Sequence, residues 1–182
     1  MKYLYSLPKA FVGKKISVSV DILKTTSGTS VIHETANVKD SVAVLPIIDN
    51  EVVLLRCERP STKEVLIEVP SGSLSDVDHF KGVLEHNFEL EGAKRELQEK
   101  TGYEASHWEC LGQFYTSPGW STEKVTLFLA YNLLSVGNKV EQEHTVITIP
   151  FDKAMSMITF GSIKDIKTVL LLHRYALSKM AK

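Results

Sequence analysis

Between Gly92 and Tyr103 the chain reads GAKRELQEKTGY, which gathers Arg95, Glu96, Glu99 and Lys100 into a short stretch. A helix repeats about every 3.6 residues, so Glu96, Glu99 and Lys100 share one face of it. Leu90, Ala93, Leu97 and Thr101 line a neighbouring face that can anchor the helix to a core. Carboxylates held close on a rigid element suit Mg²⁺, a hard cation that takes oxygen ligands and binds alongside substrate phosphates. An ordinary surface helix accounts for the same residues. Glu96 and Lys100 make a favourable i,i+4 pair, Lys100 suits the negative end of the helix dipole, and Gly102 suits the C′ position. The surrounding chain decides between these readings.

The length of 182 residues suits one domain with a substantial core. A composition 43% hydrophobic and 24% charged is that of a soluble globular protein. The net charge of −1 gives no electrostatic reason to expect a nucleic acid or a membrane as partner. No apolar run reaches the length of a membrane span, and the first eight residues are too short and interrupted for a signal peptide. Cys57 and Cys110 lack metal-type spacing and read as buried free thiols, so a cytoplasmic location is expected.

Elements that would position the helix follow from pattern. Ile16 to Leu23 and Thr29 to Val38 alternate about a Ser27-Gly28 turn, as a hairpin does. Ser41 to Ile48 and Val52 to Cys57 flank a tight turn at Asp49-Asn50, and Val65 to Val69 runs into Pro70-Ser71-Gly72. Ser73 to His86 is polar, weakly patterned and reads as a loop. Asn87 suits an N-cap, with Glu89 and Glu91 in the first turn behind it. Strands are expected near Trp108 to Tyr115, from Lys124 to Leu133, and up to Pro150. Helices are expected over Asp152 to Phe160 and Asp165 to Met180. The fold class is therefore α/β in the α+β sense, a mixed sheet flanked by helices, with an N-terminal hairpin subregion over residues 1–39 and the main domain over 40–182.

With Pro70-Ser-Gly72 and Arg95-Glu-Leu-Gln-Glu-Lys-Thr-Gly-Tyr103 together, the chain resembles the Nudix hydrolases, whose signature is G-x5-E-x7-R-E-U-x-E-E-x-G-U. Arg56-Cys-Glu-Arg-Pro60, Leu66 to Gly72, Thr116-Ser-Pro-Gly-Trp-Ser-Thr-Glu123 and Gly161 to Thr168 are similar to the ADP-ribose pyrophosphatase subfamily. The resemblance implies the Nudix fold, with the sheet sandwiched between helices, and spans about residues 30–180. The box departs from the signature in three places. Asn87 stands where an acid is expected eight residues before Arg95, fourteen residues rather than five separate it from Gly72, and Lys100 replaces the second acid of the E-E pair.

Carried over residue by residue, the resemblance implies that Glu96, Glu99 and the Ser71 carbonyl hold Mg²⁺ or Mn²⁺. Arg95 orients the box carboxylates. An acid in a later loop activates water, Glu143 first and Glu141 next, unless this stretch is simply a solvated acidic loop; His144 either assists or is a surface residue at the start of a strand. Arg56 and Arg59 are candidates for phosphate or ribose contacts, since guanidinium donors match phosphate oxygens in pairs. Glu68 is either a base- or ribose-contacting acid or the partner of Arg59. Trp120, beside Pro118, offers a flat face for a base or serves in packing. Glu85 and Glu89 are the acids available to compensate for Lys100. Two functions stay open: a metal-dependent pyrophosphohydrolase acting on ADP-ribose or a related nucleoside diphosphate sugar, and an impaired relative that binds a nucleotide or a partner. A homodimer built on the N-terminal strands is implied for either.

Overall fold

The computed structural model describes residues 2–75, 78, 87–137 and 144–180. Its contacts divide it into two compact units, Met1–Ser41 with Phe114–Val125, and Val42–Gln113 with Thr126–Lys182. The first unit carries a three-stranded sheet in which β1 (Lys2–Val12), β2 (Ile16–Lys24) and β3 (Ser30–Val38) lie in sequence order. β2 and β3 form the expected hairpin, with unbroken antiparallel register from Ile16↔Val38 to Lys24↔Ser30. Gly28 takes φ 86° in the turn, a left-handed conformation that glycine adopts at little cost. A parallel bridge joins Ala36 to Ser121, flanked by hydrogen bonds from Ala36 N to the Trp120 carbonyl (2.7 Å) and from Thr122 N to the Ala36 carbonyl (3.0 Å).

β1 adds a third strand to the hairpin expected within residues 1–39, and its pairing is irregular. Its register against β2 shifts between Tyr3 and Tyr5 and again between Leu7 and Phe11. Each shift breaks the period-2 alternation on which a strand is recognised. Pro8, which cannot donate to a ladder, sits inside the second irregularity.

The second unit is mixed α+β and holds a seven-stranded sheet of order β10-β5-β4-β9-β8, with β6 beside β5 and β7 beside β4. The strands are β4 (Ser41–Ile48), β5 (Glu51–Arg59), β6 (Glu64–Glu68), β7 (Ser71–Ser73), β8 (Tyr103–Tyr115), β9 (Lys124–Ser135) and β10 (His144–Pro150). Three helices accompany them among the described residues: α1 (Phe88–Thr101), α2 (Phe151–Thr159) and α3 (Ile166–Met180). β4 is buried from Ser41 through Ile47, and such a run means that both faces of the sheet are covered. Val42 and Val44 on one face meet Ala93 and Leu97 of α1, together with Leu74, Phe128 and Ala130. On the other side, Tyr175 of α3 packs against Tyr131 and Phe151, and Thr168 Oγ1 accepts a hydrogen bond from Val69 N at 2.9 Å.

Two smaller expectations are corrected. Cys110 is exposed on β8, whereas Cys57 is buried. β8 begins at Tyr103, directly after the helix, because Gly102 in the left-handed conformation (φ 70°) turns the chain straight into the strand.

Candidate active site

α1 is fixed at both ends by its own sequence. Asn87 caps the start, its side chain accepting from Leu90 N at 3.1 Å, and Gly102 closes the end with a bond to the Gln98 carbonyl. The helix buries Gly92, Ala93, Leu97 and Thr101, and this seating leaves Arg95 and Glu96 facing the Ser71–Ser73 strand, with Glu99 exposed beside Arg95.

Arg95 is the hub of that face. Its Nε and Nη2 donate to the two carboxylate oxygens of Asp78, each at 2.8 Å, and Nη2 also reaches the Ser73 carbonyl at 3.0 Å. Nη1 donates to Glu96 Oε1 at 2.7 Å and to Glu99 Oε2 at 3.0 Å. One planar guanidinium thus sets the positions of three carboxylates, a geometry that an ammonium cannot reproduce. These charge-assisted bonds raise the Arg95 pKa above its usual value against the opposing effect of burial.

Asp78 was not expected. It is 1% exposed, and Ser75 donates to it from both backbone N (2.7 Å) and Oγ (2.8 Å). Burial works to raise its pKa, yet the bonds from Arg95 and Ser75 outweigh this and hold the carboxyl at about 2. Counting the inserted residues ahead of the acid gives its place to Asn87, and the structure corrects this. Asp78 stands six positions after Gly72, the spacing of G-x5-E, so the extra chain falls between Asp78 and Arg95. That offset from Gly72 was the available signal, and it was hidden because the polar segment has no periodicity.

Glu96 is 5% exposed, and a side chain on Gly72 would collide with its carboxylate. Glycine is therefore required at this position for close approach. Burial raises the Glu96 pKa, while the Arg95 and Lys100 cations oppose the rise. Glu99 remains exposed and is bonded to Arg95. Lys100 lies at the end of α1 and lines a notch of about 70 Å³ with Cys57, Glu58, Arg59, Ser71 and His144. A carbonyl can only accept, so His144 Nε2, 2.7 Å from the Lys100 carbonyl, is the donor of that bond, which ties β10 to the helix end.

The other expected residues are placed as follows. Arg59 grips Glu68 with two bonds, Nε to Oε1 at 2.7 Å and Nη2 to Oε2 at 2.6 Å, so the ion-pair alternative describes the arrangement seen. The bonds to Glu68 raise the Arg59 pKa despite the contrary effect of burial. Arg56 is exposed one position before Cys57, and strand alternation puts it on the opposite face of β5 from Cys57 and Arg59. Arg56 is therefore not gathered with the box residues. Pro118 and Trp120 belong to the first unit, where Trp120 is 60% exposed and its backbone N donates to the Ser117 carbonyl. Glu85, Glu141 and Glu143 lie outside the described residues. Glu89 occupies the first turn of α1 as expected.

A divalent cation is what the resemblance implies, and the donors present are modest in number. Among the described residues no group of three His, Cys, Asp or Glu side chains is arranged to hold a metal. Asp78 has both oxygens on Arg95, which leaves Glu96 and Glu99, each with one oxygen so engaged. The Glu96 carboxylate lies against the backbone at Gly72. This set fits Mg²⁺, which commonly takes one or two carboxylates and fills its remaining positions with water and substrate phosphates.

Comparison with known proteins bears on the family. The chain is 29% identical over 177 residues to the methanol dehydrogenase activator of Bacillus methanolicus, covering 94% of this chain and 91% of that protein. It is 28% identical over 163 residues to the ADP-ribose pyrophosphatase of Bacillus subtilis strain 168, covering 87% and 83%. A GDP-mannose pyrophosphatase of Escherichia coli is 35% identical over 115 residues, covering 60% of this chain and 59% of that one. In fold, the chain matches a solved ADP compounds hydrolase with a TM-score of 0.79 at 18% identity, covering 99% of this chain and 96% of that one. The NUDIX domain model matches residues 38–174, a span that includes Gly72, Asp78 and the whole of α1. The chain belongs to the Nudix family.

Proposed function

We propose that the protein is a pyrophosphohydrolase that cleaves ADP-ribose, or a related nucleoside diphosphate sugar, to a nucleoside monophosphate and a sugar phosphate. The observation that carries this reading is the Arg95 hub, which holds Glu96 against Gly72 with Glu99 beside it. Such positioning is what phosphoryl chemistry asks of a protein, since most of the catalytic effect comes from placement and electrostatics. Glu96, Glu99 and the Ser71 carbonyl are the residues proposed to hold Mg²⁺ or Mn²⁺. When bound, such a cation offsets charge on the phosphoryl oxygens and favours ionisation of water. Arg95 keeps the carboxylates in place, and Arg59, held by Glu68, lies within reach of an anion in the notch. Glu143, then Glu141, are proposed as the base; Pro118 and Trp120 are proposed substrate contacts. The similarity to pyrophosphatases of ADP-ribose and GDP-mannose supports the substrate class. We further propose a homodimer formed through residues 1–39, in the cytoplasm.

The deciding experiment measures release of AMP from ADP-ribose with Mg²⁺, within a panel that includes GDP-mannose. Turnover that falls about 10- to 100-fold or more in Glu96→Gln supports the reading. A parent inert toward the whole panel ends it.

A second reading, a Nudix protein that acts by binding, draws on two observations. Lys100 places a cation beside Glu96, and the chain resembles an activator of another enzyme over nearly its whole length. Gain of turnover in Lys100→Glu, from an inactive parent, would favour it.

A further inference from the structure

Pro70 has no N–H, so buried Val69 supplies the last backbone donor before Ser71. That donor is met from α3. Val69 N donates to Thr168 Oγ1 at 2.9 Å, across 99 positions of sequence, and Thr168 is wholly buried. The same hydroxyl donates to Asp165 Oδ2 at 2.7 Å, to which Thr168 N also donates at 2.9 Å. An ionised carboxylate can only accept and an amide N–H can only donate, so the hydroxyl commits its single hydrogen to Asp165 and a lone pair to Val69. Serine can do the same, whereas valine keeps the shape of threonine and loses both bonds. Beyond Val69 the chain has little room. The Pro70 carbonyl accepts from Val44 N at 2.9 Å, and the Ser73 carbonyl accepts from Arg95 Nη2 at 3.0 Å. Between those two points the Glu96 carboxylate lies so close to Gly72 that a Cβ would overlap it. A shift of this segment therefore alters the Gly72–Glu96 contact directly, because α1 is capped at both ends and does not follow.

We propose that Thr168 is a positioning residue for the candidate active site: its hydroxyl holds Val69, and so sets where Ser71 and Gly72 stand against the Glu96 carboxylate. Thr168 acts through the backbone of Val69 and Pro70 and not by touching the reacting groups. Its role rests on the pyrophosphohydrolase reading for the reaction it serves, while the geometry it sets is independent of that reading.

The test compares T168V and T168S with the parent as whole chains, under conditions where urea curves show all three folded. Two quantities are read: kinetics with ADP-ribose and Mg²⁺, and amide exchange followed by NMR. T168V should lose about 10- to 100-fold in kcat while KM stays within about threefold, the mark of misplacement rather than of lost binding. T168S keeps both bonds and should stay within about threefold of the parent in kcat. Exchange at Ser71, Gly72 and Ser73 should quicken about tenfold more in T168V than exchange at Leu97, a fully buried position that reports global opening. If T168V does not fold, D165A takes its place, with a smaller change of the same sign in both readouts. Parent-like kcat or parent-like exchange at Ser71–Ser73 in the folded variant overturns the proposal, as does a T168S as impaired as T168V. If the parent hydrolyses nothing in the panel, the hydrolase reading falls, and exchange alone decides the positioning role.

Discussion

Gly72 and Arg95 are the residues on which the site's geometry turns. An added methyl at Gly72 collides with the Glu96 carboxylate, whose helix is capped at both ends and cannot retreat. Gly72→Ala is therefore expected to cost about 1–3 kcal/mol in urea unfolding and to lower turnover more than stability alone explains. Asp78 offers a sharper test. Its folded pKa, about 2, lies below the usual 3.8, so its stabilisation is complete above roughly pH 4 and disappears as pH falls through 2. Asp78→Asn should destabilise by about 2–3 kcal/mol at neutral pH, and unfolding curves of parent and variant should converge toward pH 2. A gap that persists unchanged at low pH would show that packing, and not the ion pair with Arg95, carries the effect. Glu96 has the opposite character, since burial raises its pKa against the lowering effect of Arg95 and Lys100.

Among the elements, α1 and α3 hold the sheet from its two faces, and each is secured by a polar contact as well as by apolar packing. Asp165 Oδ2 accepts from Thr168 N at 2.9 Å and from Thr168 Oγ1 at 2.7 Å, capping the start of α3. The same Thr168 hydroxyl oxygen accepts from Val69 N, just before Pro70-Ser71-Gly72, at a position wholly buried from solvent. Thr168→Val keeps the shape but leaves a buried N–H without a partner, a loss expected to cost about 1–3 kcal/mol. Amide exchange at Val69 should quicken with it, while Asp165→Ala should cost nearer 1 kcal/mol, the usual value of a cap. The caps of α1, at Asn87 and Gly102, were legible in the sequence because each acts on its immediate neighbours. The irregular register of β1 was not, since a strand exposed along its whole length leaves no burial pattern to read.

At the scale of the molecule, the first unit exposes Tyr3, Tyr5, Leu7, Phe11 and Val12 on one strand. Apolar surface gathered in this way commonly marks an interface. The proposed homodimer predicts that sedimentation of the parent reports twice the 20.3 kDa chain mass. Phe11→Asp with Leu7→Asp should then shift it to the monomer. A parent that sediments as a monomer at micromolar concentration would remove the proposal. Among the described residues, no helix is long and apolar enough to cross a membrane.

Sequence alone determined the family, the order of nearly all elements, and the identity of Arg95, Glu96 and Glu99 as neighbours. These follow from spacing along one helix and from short-range turn chemistry, which tertiary contacts do not alter. Tertiary structure decided the rest. Asp78 finds Arg95 across a gap of seventeen positions in a segment without periodicity, Arg59 closes on Glu68, and Arg56 is turned to the other face of its strand. Lys100 shows the division most clearly. Its type and place were plain from the chain, as a residue fitted to the end of a helix. Only the folding of β5, β7 and β10 around that end brings Arg59, Ser71 and His144 to it.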